Sequence, residues 1–401
     1  MKQLIIALLF IPTLSSAQNK YSAYLFTYFT GNTGSEEAIR FAISSDGYHF
    51  RALNDNQPVL SSQTISSTGG VRDPHIMRSK DGKTFYMVAT DMVSAKGWSS
   101  NRGMVLLQSA DLTHWTSSVV NIQTKYPGQE KLERVWAPET IYDDSAKKYL
   151  VYFSLKYIGE PDKICYAYVN PGFTDLEGEP RQLFYSPDNA ACIDADIVSK
   201  GGRYFLFFKT EDRQPGIKVA VSDHLTRGYQ LQSKDYVQQT KDAVEGACTF
   251  KLNDGSGYIL MYDVYMAGSY QFTKTTDLKN FKVVDEHVDM NFHPRHGTVM
   301  PITSVEGSRL ASEWLSPGPS LLSPLNKAIR QAGTAYDTAS GVLTLVVASG
   351  TDLHKFDPQF VKYPGVSITT LGPRDFTKGA VTYTIRIGNR KKTYSVMVRE
   401  K

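Results

Sequence analysis

The chain is poor in cysteine, in net charge and in long apolar runs. Its 401 residues include three cysteines, Cys165, Cys192 and Cys248. So small and odd a number builds no disulfide framework, and the three read as buried free thiols. The formal net charge is only +4, and no Lys/Arg cluster is interleaved with aromatic residues. The electrostatic footprint of a nucleic-acid binder is therefore missing. The one sustained apolar run, Leu4 to Ile11, is too short to span a bilayer. It follows a basic Met1-Lys2 start and precedes the small residues Ser15-Ser16-Ala17, which is the layout of a cleavable export signal. Residues 1–17 are read as a signal peptide, Gln18 as the first mature residue, and the destination as secreted or periplasmic. No cysteine stands at that junction to take a lipid anchor, and no membrane span is expected.

What the chain does have is aromatics, 12% of all residues and mostly Tyr and Phe. These favour strands. They also fall in a repeat. "VRDPHIMRSKDGKTFYMVATD" (71–91) is a carboxylate, a short apolar run, a polar turn and an aromatic strand. The same unit returns at Ala137-Pro138-Glu139-Thr140-Ile141, at Asp194-Ala195-Asp196-Ile197, at Glu245-Gly246-Ala247-Cys248 and at His296-Gly297-Thr298-Val299. The leading positions are Asp73, Ala137, Asp194, Glu245 and His296, spaced by 64, 57, 51 and 51 residues. The last unit is read as running into Ile302 and a turn at Glu306-Gly307. Several units close on a shared signature, as in "QSADLTHW" (108–115), "TKTTDLKNF" (273–281) and "ISSDGYHF" (43–50).

A repeat of about 50 residues with four short strands has the period of a propeller blade. Five starts predict an all-β, five-bladed propeller. Tyr24 to Phe29 and Ile39 to Ile43 look like later strands of a blade lacking its first strand, and the unit at His296 supplies a first strand with few followers. One blade shared between the two ends closes the ring and leaves no open edge. After about Pro324 the texture changes. "GVLTLVVASG" (341–350), "GVSITTL" (365–371), "AVTYTIRIG" (380–388) and "KTYSVMVRE" (392–400) alternate apolar and polar residues between turns. Residues 18–324 are read as the propeller and 325–401 as a small β-sandwich without a cluster of catalytic residue types.

In a propeller the first strand of each blade lines the central channel, so the leading residues should converge. Singly each has a bland reading. Asp73 in Asp-Pro is a turn residue, Asp194 a solvated strand end and His296 a structural histidine. At one phase of one repeat, two Asp and one Glu share a cavity. Their mutual repulsion separates their pKa values, so one stays ionised while another stays protonated. Glycoside hydrolysis needs that pair, a base for water and an acid for the leaving oxygen. Trp136 and Trp98 lie in sequence where they can stack on a sugar or pack between blades.

The stretches "RDPHI", "RVWAPETIYDDSAKKYLVYFS", "CIDADIV", "VEGACTFK" and "PRHGTVMPI" resemble glycoside hydrolase family 43, over about residues 21 to 320. The resemblance implies a five-bladed propeller that attacks arabinosyl and xylosyl linkages by an inverting mechanism. It implies Asp73 as general base, Asp194 as the residue that tunes and positions the acid, and Glu245 as general acid. It also implies Arg295 as a substrate contact, His296 near a structural calcium or other ion, no required cofactor, and a monomer acting on an oligo- or polysaccharide. Two positions depart from the family pattern, Ala195 and Ala247 standing where Pro is usual, and Asp196 is an alternative to Asp194. The tail resembles immunoglobulin-like modules of secreted polysaccharide-degrading enzymes. The rival readings are a retaining fructosidase-type hydrolase, for which residues 21 to 70 show no nucleophile motif, and a glycan-binding propeller without catalysis.

Overall fold

The computed structural model describes residues 20–211 and 215–401; the expected signal peptide lies outside them. Blade 1 runs Val71–Arg78, Phe85–Asp91, Gly103–Ser109, Thr116–Asn121, and blade 2 runs Leu132–Asp143, Lys148–Tyr157, Lys163–Tyr168, Arg181–Phe184. Blade 3 runs Cys192–Lys200, Arg203–Thr210, Gly216–Ser222, Gln230–Leu231, and blade 4 runs Glu245–Lys251, Tyr258–Val264, Ser269–Thr275, Lys282–Val283. Blade 5 is shared as expected. Its first strand is Gly297–Ile302, which pairs antiparallel with Ala23–Tyr28 in the register Tyr24↔Pro301 to Tyr28↔Gly297. The five-bladed propeller is thus closed by pairing strands from its two ends. Polar turns bind the outer hairpins. In "SADLTH" the Asp111 carboxylate accepts the N–H groups of Thr113 and His114 while the Ser109 hydroxyl accepts that of Leu112.

Four of the five first strands share a bulge. Their pairing with the second strand breaks register between Arg72 and His75, Trp136 and Glu139, Ile193 and Asp196, and Glu245 and Cys248. The break is made by a residue with positive φ: Asp73 (50°), Ala137 (45°), Asp194 (52°) and Gly246 (62°). Such backbone is costly for residues other than glycine and clusters where structure over-determines it. The bulge re-aims side chains, so that the strained residue and the one before it both reach the channel. This corrects the phase read from the sequence. In blade 4 the strained position is Gly246, and Glu245 stands one residue earlier, in line with Arg72, Trp136 and Ile193. Glycine is required there, since a Cβ on Gly246 would lie 2.7 Å from Cγ of His296.

Below the bulges a circle of hydrogen bonds joins the blades. His75 Nδ1 accepts the N–H of Thr140 at 3.3 Å. Asp196 Oδ2 accepts that of Thr249 at 2.6 Å, Cys248 Sγ that of Val299 at 3.4 Å, and Thr298 Oγ1 that of Ile76 at 3.0 Å. Between blades 2 and 3 a tyrosine is interposed. The Tyr152 hydroxyl donates to Glu139 Oε2 at 2.6 Å and accepts the N–H of Ile197 at 3.0 Å. Each blade so caps the first strand of the next. Burial pushes Asp196 up to about 7 and Glu139 well above the usual carboxylate range, where the Asp196 charge adds to it. Burial, aided by the charge of His296, drops His75 to about 3, which leaves its ring neutral and its Nδ1 lone pair free to accept.

Beyond the ring, Glu306-Gly307 is not a turn. It lies in a helix, Ser304–Trp314, opened by a reciprocal cap between Thr303 and Glu306. Arg78 holds Glu306 through both carboxylate oxygens at 2.6 and 2.7 Å. The tail is all-β, in the order Ile329–Asp337, Val342–Val347, Arg390–Glu400, Val381–Ile387, Val366–Ile368. These strands join in one sheet, where an immunoglobulin-like module has two facing each other. The apolar face of this sheet, with Leu345, Val396 and Ile385, shares one core with Leu310 of the helix, with Leu315 just past its end, and with Phe41 and Leu107 of the propeller.

Two outcomes test the circle. Tyr152→Phe leaves the buried Ile197 N–H without an acceptor, and is expected to lower the unfolding free energy by about 1–3 kcal/mol in denaturant titrations. Asp196 has a raised folded pKa, so the native state binds its proton more tightly than the unfolded chain does. Its contribution is therefore present at low pH and lost as pH rises from about 4, its unfolded value, to about 7. Asp196→Asn cannot ionise, and melting curves across that window should fall less steeply with pH for the variant than for the wild type.

Candidate active site

The residues at the bulges, together with loops above them, enclose a pocket of about 430 Å³ lined by Phe29, Arg72, Asp73, Met92, Trp98, Trp136, Ile193, Asp194, Glu245 and His296. Residues far apart in sequence meet here because each is the entry point of a different first strand. Asp73, Asp194, Glu245, His296, Trp136 and Trp98, all singled out from the sequence, line this one cavity. Arg295 reaches it by bonding Glu245, 2.9 Å from Nη2 to Oε1.

The three carboxylates have different surroundings. Asp73 accepts from the Thr90 hydroxyl at 2.8 Å and faces His296 Nδ1 at 3.5 Å. Burial opposes its charge, but the hydrogen bond and charge of His296, with Arg72 and Thr90, outweigh burial and hold Asp73 below the usual aspartate value. His296 responds in kind. Burial disfavours its cation, yet Asp73 and Asp194 lift it to about 10. Asp194 has no such partner. Burial, with the charges of Glu245 and Asp73, raises it to about 6 against the pull of His296 and Lys209. Its Oδ2 accepts the N–H of Gly246 at 3.2 Å, and its own N–H donates to the Ser154 hydroxyl at 3.2 Å.

Glu245 is gripped at both oxygens. Oε1 accepts from Arg295, and Oε2 accepts from Lys209 Nζ at 3.1 Å. Each cation has a second carboxylate, since Lys209 also meets Glu211 at 3.0 Å and Arg295 Nε bonds Asp263. Lys209 and Asp263 stand on second strands directly opposite Ile193 and Glu245. Neither was found from the sequence, and nor was Arg72. A reading of the residue before each strained position would have shown Arg72 in the row of Trp136 and Glu245.

The two tryptophans differ. Trp98 is half exposed at the rim, at 51%. Trp136 lies deeper, with the Arg134 guanidinium 3.7 Å from its ring centre and Trp98 edge-on at 6.2 Å. Asp196 points away from the pocket into the circle below, bonded to Thr249. Among the described residues no three His, Cys, Asp or Glu side chains are grouped to hold a metal ion at His296.

Comparisons with known proteins agree with this architecture. A family model described as "Probable glycosyl hydrolase domain", related to glycoside hydrolase family 43, matches residues 19–308. An α-L-arabinofuranosidase of Bifidobacterium longum subsp. longum is 27% identical over 310 residues, which are 62% of this chain and 28% of that protein. The chain thus spans less than a third of the length of that relative. Among solved structures, a thermostable family-43 glycoside hydrolase superposes with a TM-score of 0.50 at 13% identity, over 68% of this chain and 93% of that one. A xylan β-1,4-xylosidase from Bacillus halodurans C-125 gives 0.49 at 13% identity, over 69% and 55%. The likeness to the thermostable hydrolase is one of fold, while the family model covers the whole propeller; the chain belongs to the glycosyl hydrolase domain family related to glycoside hydrolase family 43.

Proposed function

We propose that the protein is an inverting glycosidase that releases an α-L-arabinofuranosyl unit, or next to that a β-D-xylosyl unit, from plant-type oligo- or polysaccharide. One observation carries this reading. Three carboxylates from three blades line a single pocket in unlike electrostatic settings, with Asp73 held ionised by His296 while Asp194 is pushed up to about 6. Asp73 then takes a proton from the water that attacks the anomeric carbon. Glu245 gives a proton to the departing glycosidic oxygen, and the C–O bond breaks towards it. Asp194 holds the acid in place through the Gly246 N–H. No cofactor enters the scheme. Arg295 and Lys209 orient the Glu245 carboxylate. The arabinofuranosidase among the relatives favours the arabinosyl choice. A secreted or periplasmic monomer suits an insoluble or bulky substrate, and among the described residues no helix is long and apolar enough to cross a membrane.

The roles separate by leaving group. Glu245→Gln should lose about 10²–10⁴-fold on natural glycosides, the usual value of acid–base assistance, and much less on aryl glycosides with activated leaving groups. Asp73→Asn should damage both substrate types alike. Near wild-type turnover of a natural glycoside by both variants would remove the assignment. NMR of the first-formed sugar should show the anomer opposite to the substrate; retention would instead support a fructosidase-type double displacement.

A further inference from the structure

Arg72 is set in the pocket wall in a way that a purely structural arginine does not need. Its Nη1 is fully committed, donating to Glu37 Oε1 at 3.0 Å, Asn32 Oδ1 at 2.9 Å and the Gly31 carbonyl at 3.3 Å. Glu37 is itself wholly buried and also accepts the Ser94 N–H at 2.8 Å, which ties in the loop that carries Trp98. The rings of Phe29 and Trp98 lie 4.4 and 5.2 Å from the guanidinium carbon. The group is therefore held in place, and the residue is only 6% exposed. Yet Nε and Nη2 make no hydrogen bond to any described residue, and Arg72 lines the cavity beside Asp73. Neither nitrogen is among the buried side-chain atoms left without a partner, so both donors open to the cavity and not into the protein interior.

We propose that the free Nε/Nη2 edge of Arg72 binds two adjacent ring hydroxyls of the sugar held in the pocket, and so selects the sugar unit that is cleaved. The inference rests on the glycosidase reading above and extends it to specificity. The guanidinium edge presents two parallel donors in a fixed fork, which matches two oxygens on neighbouring atoms. A carboxylate and a vicinal diol both have that shape. Charge decides between them. Asp73, which His296 holds ionised, lines the same cavity, so an anionic sugar meets a like charge beside Arg72. A neutral sugar with a vicinal diol meets none. Glu37 acts as a positioning group, since it touches Arg72 and does not line the pocket.

The test uses the full chain with p-nitrophenyl α-L-arabinofuranoside and β-D-xylopyranoside, and the monodeoxy analogues of whichever is turned over. In the wild type, loss of either of two neighbouring hydroxyls should lower kcat/KM by roughly 10–10²-fold, the range for a hydrogen bond to a charged group. Arg72→Lys keeps the charge and a partner for Glu37 but loses the fork, and should lower kcat/KM on the parent glycoside by a similar factor. The two losses should not multiply, because both delete the same contact. Losses that multiply for every deoxy analogue would overturn the proposal. If Arg72→Lys fails to fold in melting curves, the wild-type series decides alone: the absence of any adjacent pair of costly hydroxyls overturns it. Wild-type turnover without such a pair leaves the glycosidase reading standing, whereas no turnover of any glycoside, natural or aryl, takes both down.

Discussion

Each blade hands a buried side-chain acceptor to a backbone N–H of the next, and the circle closes on itself. Thr298, His75, Glu139 with Tyr152, Asp196 and Cys248 form it, one station per blade. Every station but the one in blade 5 lies two residues past a bulge. The circle therefore holds the strands at the depth where the bulge turns two consecutive residues into the channel. Strained backbone at Asp73, Ala137 and Asp194 is tolerated because the residues below it are held in this way. A hydrogen bond between blades is worth little singly. Arranged as a closed set in a buried region, where an unmade bond is costly, they fix a geometry that no single blade could hold.

The pocket above inherits both precision and electrostatic contrast from that arrangement. His296 sits two residues before its station, against Gly246, where only a glycine leaves room for the ring. From there it neutralises Asp73 and leaves Asp194 exposed to the charges around it. Carboxylates of the same chemical type thus differ in protonation because the hydrogen bond and charge of His296 outweigh burial at Asp73, whereas at Asp194 burial outweighs the pull of His296 and Lys209. Glu245 takes its place through opposite-strand neighbours, with Asp263 beyond Arg295 and Glu211 beyond Lys209. Removing a residue from any of these pairs would disturb the others, as expected of a connected buried network.

Some of this was legible in the sequence and some was not, for physical reasons. The alternation of apolar and polar residues with turn signals every few residues reports local structure, so the blades and their shared closure could be read directly. The helix Ser304–Trp314 also had its signal, Thr303 followed three residues later by Glu306, but a repeat-based reading passes over a segment that breaks the repeat. The strand Ile329–Asp337 is obscured by a register break and by Gly333, which interrupt its alternation. Arg72 and Lys209 were hidden because their partners, Glu37 and Glu245, are 35 and 36 residues away.

The sequence by itself determined which residue types lead each blade, how many blades there are and that the chain ends meet in one of them, because these follow from periodic patterns within a few residues. It also placed Asp73, Asp194 and Glu245 as a set. Tertiary structure alone decided which of two neighbouring residues carries the strained backbone, so that Glu245 falls one position ahead of the phase that the repeat suggested. It alone decided which cation stands beside which carboxylate. Register at a bulge and charge pairing across blades depend on distances between segments remote in the chain, and those distances exist only once the ring has closed.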